Sequence, residues 1–190
     1  MDTDDELLEK AFNLAFRYEA EKGSCPQCVL SALYETLEVS DPKTIQACQG
    51  LAGGTSLTTE GTCGALVGGI LAIGSVVGRT YEEFSESKSK SLIYKYTKEL
   101  YDKFVDNYGS CLCKDVQKKI FGKSYNLLDA KDYEKFEKAG AHVDKCPKVS
   151  GDAAKWAAEI IIKIKSRKKI LWKDLNPSIQ LLFSVDGYEY

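Results

Sequence analysis

Three observations predict an all-α fold, a single domain of about six to eight helices built around one glycine-rich helix. The run 61–78 carries no charge and has a glycine or alanine at nearly every turn. On either side of it, apolar residues recur at helical spacing behind recognisable helix-start signals. No internal repeat, low-complexity segment or βαβ unit interrupts the pattern.

Read as a helix, 61–78 has two faces. Leu66, Ile70, Ile73 and Val77 form an apolar stripe, and Gly61, Ala65, Gly68, Ala72 and Ser75 form a stripe of small residues. A glycine inside a helix costs roughly 1 kcal/mol relative to alanine. The small stripe therefore predicts a close approach, by another backbone or by a cofactor. Gly64 and Gly68 are the candidate cofactor-facing positions. A membrane span competes, since about eighteen apolar residues reach the threshold length. Against it, the run stands alone, is poor in leucine, and has Glu60 and Arg79 at its ends rather than a basic cluster on one side. A buried central helix is expected, with Cys63 at its start.

The other elements follow in order. Thr3-x-x-Glu6 reads as a capping box, and Leu8, Ala11, Phe12 and Ala15 carry a first helix to about Ala20. Glu21-Lys22-Gly23 breaks it. Ser24-x-x-Gln27 reads as a second capping box, with Cys25 the first helical residue, Pro26 an allowed first-turn proline and Cys28 one turn on. Val29, Leu33 and Leu37 continue that helix. Asp41-Pro42 starts another through Ile45 and Cys48, which runs out into a flexible polar loop over 50–56. Beyond the central helix, Leu92, Ile93, Tyr96, Leu100, Phe104 and Tyr108 mark a long amphipathic helix ending at Gly109. A short helix follows Cys113 and stops at Gly122. Residues 123–145 read as loop and short helix anchored by Tyr133 and Phe136. Cys146-Pro147 opens the last long helix, with Ala153, Trp156, Ala157, Ile160 and Ile164 inward. Lys163, Lys165, Arg167, Lys168 and Lys169 at its end read as a solvated face favoured by the helix dipole. The apolar stretch 179–185 is a strand or a packed tail. The domain organisation expected is a helical, cysteine-rich domain over 1–170 and a C-terminal tail over 171–190.

Composition narrows the function. A chain of 190 residues can bury a real core. A formal net charge of -2 argues against nucleic acid as the main partner. The acidic start, Met1-Asp2-Thr3-Asp4-Asp5-Glu6, lacks the apolar core of a secretory signal, so a cytoplasmic location is expected. Seven cysteines are many for such a chain. Reducing thiol pools disfavour structural disulfides there, so clustered cysteines point to redox chemistry or metal binding.

Cys25, Cys63, Cys113 and Cys146 each fall at or just before an expected helix start. Unpaired amides and the helix dipole favour an anion there, and thiolate is both the nucleophile of disulfide exchange and the metal ligand. Cys25 is accordingly expected to have a pKa below about 7.5. Cys25-Pro26-Gln27-Cys28 has the spacing of dithiol redox motifs and of half a metal site. Cys111-Leu112-Cys113 is too tight for an easy disulfide but suits two thiolates on one metal. No second C-x-x-C and no C-x-x-C-H exists, which disfavours a zinc ribbon and excludes covalent c-type haem. His142, four residues before Cys146, is an alternate ligand or an ordinary loop histidine. Cys48, with no partner in sequence, reads as a small buried hydrophobe.

These residues resemble the C_GCAxxG_C_C family of redox proteins. The resemblance rests on Cys25 with Gln27, Val29 and Leu30; on Cys63-Gly64-Ala65-Leu66-Val67-Gly68-Gly69 and the run to Gly78; on Cys113-Lys114-Asp115; and on Cys146-Pro147-Lys148-Val149. It covers roughly residues 6–165, and Cys28, Cys48 and Cys111 are additional to its four cysteines. It implies a small, mostly helical, redox-active protein and supplies no substrate.

Three functions stay open. In a thiol redox protein, a candidate oxidoreductase, Cys25 is the nucleophile, Cys28 its resolving partner, and Cys63 or Cys146 supplies a second exchanging pair, with Cys113 a further candidate catalytic thiol. In a metal or iron–sulfur protein, Cys25, Cys63, Cys113 and Cys146 are the ligands, with Cys28, Cys111 and His142 as alternates. In an adaptor, the cysteines are packing and a zinc clip. The partner is a redox protein or a small-molecule substrate, and a homo-oligomer is compatible with the sequence.

Overall fold

The computed structural model describes residues 2–89 and 92–173, with side chains as far as residue 167. Among them the chain forms nine α-helices and no strand. These are α1 (Asp4–Lys22), α2 (Cys25–Leu37), α3 (Pro42–Ala47), α4 (Gly64–Val77), α5 (Tyr81–Ser85), α6 (Leu92–Tyr108), α7 (Cys113–Phe121), α8 (Ala130–Lys138) and α9 (Cys146–Lys173). A 3-10 turn, Cys48–Leu51, follows α3, and a π turn, Ala141–Lys145, runs straight into α9. One antiparallel bridge pairs Thr62 with Leu112. The fold is all-α, as the sequence predicts. The count exceeds eight through α5, a helix of little more than one turn. No helix of the described residues is long and apolar enough to cross a membrane.

Local signals account for most helix starts. The Thr3–Glu6 capping box forms reciprocally: the Glu6 amide donates to Thr3 Oγ1 at 3.3 Å, and the Thr3 amide donates to Glu6 Oε2 at 2.7 Å. Asp41 Oδ1 accepts from the amides of Lys43 and Thr44 at 2.8 and 3.0 Å, capping α3. The expected capping box at Ser24 does not form. Ser24 holds a left-handed backbone (φ 65°) and makes no side-chain cap bond. The Gln27 side chain instead donates to the Ile45 carbonyl at 3.1 Å, tying α2 to α3.

The core lies where α4 and α9 meet their neighbours. α9 packs against α1, α2, α4 and α6, while α4 packs against α2, α6 and α9, so the two share the centre. Leu30, Leu33, Leu66, Ile73, Leu100, Phe104, Ile160 and Ile161 are fully buried there. Each such side chain contributes about 1.5–3 kcal/mol on burial. The close approach expected of the small stripe is made by another helix. A Cβ on Gly68 would fall 2.7 Å from the Pro26 carbonyl oxygen and 2.9 Å from Val29 Cβ, so Gly68 lets α2 lie against α4.

Three of the basic residues near the end of α9 are not simply solvated, and the side chains of Lys168 and Lys169 lie outside the described ones. Lys163 pairs with Glu99 at 2.9 Å, Lys165 donates to the Leu37 carbonyl at 2.6 Å, and Arg167 donates to Tyr96 Oη at 3.4 Å. They pin α9 to α6 and α2. The stretch 179–185 lies outside the described residues.

Candidate functional site

Four helix-linked cysteines meet at one end of the core. Cys63 is the N-cap of α4 and Cys113 the first residue of α7. Backbone bonds around the Thr62–Leu112 bridge set these two helix starts side by side. The Cys63 amide donates to the Cys111 carbonyl at 2.8 Å, and the Cys113 amide to the Gly61 carbonyl at 3.0 Å. Cys25 opens α2. Cys146 departs from the expectation of a free helix start. The π turn before it is already helical, and the Cys146 amide donates to the Ala141 carbonyl. Its thiol therefore lacks the cluster of unpaired amides on which the helix-start argument depends.

The segment before α4, expected to be flexible, is closely bonded and strained. Thr55, Ser56, Leu57 and Thr59 all have left-handed backbones, with φ between 51° and 67°. Such a conformation costs an L-residue roughly 1–2 kcal/mol. It is held by bonds from the amides of Ser56 to Gly50, Thr59 to Gly53 and Gly61 to Gly54, at 2.8, 2.8 and 2.9 Å. Thr58 Oγ1 adds a bond to the Gly54 carbonyl at 2.8 Å. The strained loop carries Gly53 up to Cys25, where its amide favours the sulfur's charge. Backbone strain held in place this firmly is characteristic of functional sites.

Cys25, Cys63, Cys113 and Cys146 together line a cavity of about 230 Å³. Cys63 and Cys113 are buried, Cys25 and Cys146 partly so. Gly64 makes room for one of the sulfurs, since a Cβ there would fall 2.5 Å from Cys25 Sγ. Neither Gly64 nor Gly68, the two candidates for facing a cofactor, is itself among the cavity-lining residues, and Gly68 sits in the α2–α4 contact.

The thiols are held neutral, contrary to the expectation of a low pKa at Cys25. Burial pushes Cys25 and Cys146 well up, and in both the Glu19 carboxyl is the next cause, followed by other cavity thiols. Burial also raises Cys63, with Cys113 adding to it and the amides of Ala65 and Leu66 opposing. Cys113 is pushed up to about 11 by burial, against the Gln117 side chain, which donates to its sulfur at 3.7 Å. The reason is one of scale. A helix terminus stabilises an anion by about 0.3–1 kcal/mol, whereas burial moves a pKa by up to roughly 3–5 units.

The other cysteines lie apart from the cavity lining. Cys28, buried in the first turn of α2 beside Glu19, donates to the Gly23 carbonyl at 2.8 Å, and Cys48 to the Ile45 carbonyl at 3.2 Å. Both are raised by burial. Cys111 is partly exposed and interacts with the Tyr101 hydroxyl. His142 does line the cavity, with Nδ1 2.7 Å from Glu137 Oε1 and its ring edge-on to Phe136.

Thiolate donors are of the right type for an iron–sulfur cluster or zinc. Among the described residues, however, no three His, Cys, Asp or Glu side chains gather closely enough to hold a metal ion. The arrangement is thus not a ready-made ion site.

Two site residues escape a reading based on cysteines. Glu19 lines the cavity from α1, continuing the buried spacing of Ala11 and Ala15. Its Oε2 makes no hydrogen bond, and burial raises its pKa, with Cys28, His142 and Ser150 opposing. The signal was a carboxylate on an apolar stripe. Gln117 is also buried. Besides reaching Cys113, it accepts from the Tyr125 amide at 2.8 Å, fixing the wall of the cavity.

A family model described as "Putative redox-active protein (C_GCAxxG_C_C)" matches residues 24–160. No curated protein and no solved structure matches the chain. The matched span runs from the residue before Cys25 to beyond Cys146 and so takes in every thiol of the cavity. On that match, over well more than half its length, this chain belongs to the C_GCAxxG_C_C family.

Proposed function

We propose that the chain is a thiol redox protein whose working unit is Cys25, Cys63, Cys113 and Cys146, cycling between dithiol and disulfide. The observation that carries this reading is the meeting of four thiols, from the starts of four helices, on one cavity. Packing alone would fill such a space, because an unfilled cavity costs stability in proportion to its volume.

The chemistry is thiol–disulfide exchange with a small-molecule or protein disulfide. A thiolate at Cys25 or Cys146, the partly exposed pair, attacks one partner sulfur. The partner's S–S bond breaks, a mixed disulfide forms, and the first partner sulfur leaves as a thiol. A second cavity thiolate then attacks the cysteine sulfur of the mixed disulfide. An internal disulfide closes and the second partner thiol leaves. Two protein thiols are oxidised, one partner disulfide is reduced, and two protons pass to the departing thiols. Since the arrangement gathers no three ligands about one point, no step is routed through a metal.

The test uses protein purified without oxygen. Thiols are counted and mapped by peptide mass spectrometry before and after oxidised glutathione, and metal is measured on the same sample. The expected result is the loss of one pair of thiols, both from the four, in protein with little metal. Stoichiometric iron and sulfide protecting the four from alkylation would contradict this reading in favour of a cluster. Bound zinc without thiol oxidation would contradict it in favour of an adaptor.

A further inference from the structure

Glu19 stands out as a group that packing does not require. It occupies a core-facing position of α1, its side chain is 4% exposed, and Oε2 has no hydrogen-bond partner. An unsatisfied buried acceptor costs about 1–3 kcal/mol, more if charged. It lines the same cavity as the four thiols, it is the foremost charged neighbour of both Cys25 and Cys146, and Cys28, the thiol hydrogen-bonded to it, lies beside it from α2. His142, which also lines the cavity but is more exposed, has Nε2 3.9 Å from Glu19 Oε1. The other ring nitrogen, Nδ1, lies 2.7 Å from Glu137 Oε1. Side-chain exposure rises along this line from 4% at Glu19 to 24% at His142 and 36% at Glu137. The sequence of groups is carboxyl, imidazole, carboxyl, running from the cavity to solvent.

We infer that Glu19, His142 and Glu137 form a proton relay in which Glu19 is the internal base for a reacting cavity thiol, a role that rests on the thiol-redox reading. A buried neutral thiol must lose its proton before it can attack a disulfide. With the Nδ1 hydrogen donated to Glu137, Nε2 is free to accept a proton from Glu19. The 3.9 Å gap is closed by a small side-chain shift or by one bridging water. The proton leaves the cysteine sulfur, moves to the Glu19 carboxylate, then to Nε2, while Nδ1 releases its proton toward Glu137. No electron moves along this path. Burial raises the Glu19 carboxyl, which makes its carboxylate a stronger base, and burial raises the cavity thiols as well.

Other charged and titratable groups face Glu19 and share its pH response. From α2 these are Cys25 and Cys28, and from its own helix Lys22. From the remaining walls they are Cys63, Cys113, Cys146, Tyr133 and His142.

The experiment follows the reaction of the full reduced chain with dithiodipyridine by stopped flow, from about pH 5 to 9, with helix content monitored by circular dichroism. Glu19→Gln should slow the cavity thiols about tenfold or more, and should remove the ionisation that precedes those of the thiols in the pH–rate profile. Glu19→Asp should keep that ionisation with a smaller loss. His142→Gln should make the rate depend on the concentration of a small added base such as imidazole, which the wild type does not need. Should Glu19→Gln fail to fold, Glu19→Asp and His142→Gln carry the test. Wild-type rate and profile in the folded variants would overturn the relay while leaving the thiol reading intact. Absence of any disulfide among the four in oxidised wild-type protein would overturn both.

Discussion

The two ends of α4 lie in different kinds of interior. Along its body, Leu66 and Ile73 join Leu30, Leu100, Phe104 and Ile160 in a fully buried apolar core. At its start, Cys63 faces a cavity of about 230 Å³ shared with three other cysteines and a buried carboxyl. α9 repeats the contrast, with Ile160 and Ile161 in the core and Cys146 and Ser150 at the cavity. Ser150 Oγ, Ser24 Oγ and Glu19 Oε2, all on cavity residues, have no hydrogen-bond partner, and among the described residues only the buried hydroxyls of Thr36 and Ser40 share that state away from the cavity. One region is organised to exclude water and fill space. The other keeps space, thiols and unpaired acceptors at a cost in stability, which is the pattern of a site.

Substitutions should separate the two regions by size of effect. Phe104→Ala should lose about 3–5 kcal/mol in urea unfolding, as a large buried side chain does. Cys113→Ala should lose only about 1 kcal/mol, the order of one buried methylene, yet lower reversible thiol oxidation by removing one of the four thiols. Equal costs would make Cys113 a packing residue and dissolve the contrast.

Alkaline pH should weaken the cavity selectively. The cavity thiols have folded pKa values raised above their unfolded ones. Above roughly pH 8.5 the unfolded thiols lose protons that the folded ones keep, so stability falls as pH rises. Each such thiol contributes up to about 1.4 kcal/mol per pH unit. For Cys113 the window closes at about 11. Urea unfolding of reduced protein should show this slope, and Cys113→Ala should reduce it. A flat profile would mean that the thiols are not buried as neutral groups.

Helix contacts should give intermediate effects. Gly68→Ala places a methyl group 2.7 Å from the Pro26 carbonyl oxygen and should cost about 1–3 kcal/mol by forcing α2 from α4. Gly64→Ala crowds the Cys25 sulfur and should alter Cys25 alkylation more than stability. The reverse pattern, read by alkylation rate and urea midpoint, would place the site elsewhere along α4.

Glu19 should give the smallest effect on stability, opposite in sign. Its folded pKa is raised, so the native state keeps a proton that the unfolded chain loses above about pH 4.3. Stability therefore falls as pH rises from there through the folded value, by up to about 1.4 kcal/mol per pH unit. Glu19→Gln should flatten that fall and be as stable as wild type or more so at neutral pH. A strongly destabilised Glu19→Gln would mean that the carboxylate is a structural partner.

Much of this fold could be read from local chemistry. The Thr3–Glu6 box, the Asp41 cap and the stripe of 61–78 each work within a few residues, and each produces the helix expected of it. Ser24 fails because its left-handed backbone is set by how α1 and α2 join, not by the motif itself. The four cysteines were legible from helix-start spacing, but their protonation was not, because desolvation depends on residues distant in sequence. Cys146 shows the same limit: the π turn before it arises from 141–145 and removes its free helix start. The strained turn at Thr55, Ser56 and Leu57 is held by bonds that close only in the folded chain. Glu19 was within reach of the sequence, since it sits four residues after Ala15 on the buried stripe of α1.

The most direct test is a redox titration of the protein carrying Cys48→Ser and Cys111→Ser in dithiothreitol buffers of stepped potential, with the occupancy of each remaining thiol read by differential alkylation and mass spectrometry. The account predicts that two of Cys25, Cys63, Cys113 and Cys146 become protected together, along a single two-electron curve that reverses on reduction. Oxidation independent of the applied potential, or protection of Cys28 without any of those four, would contradict it.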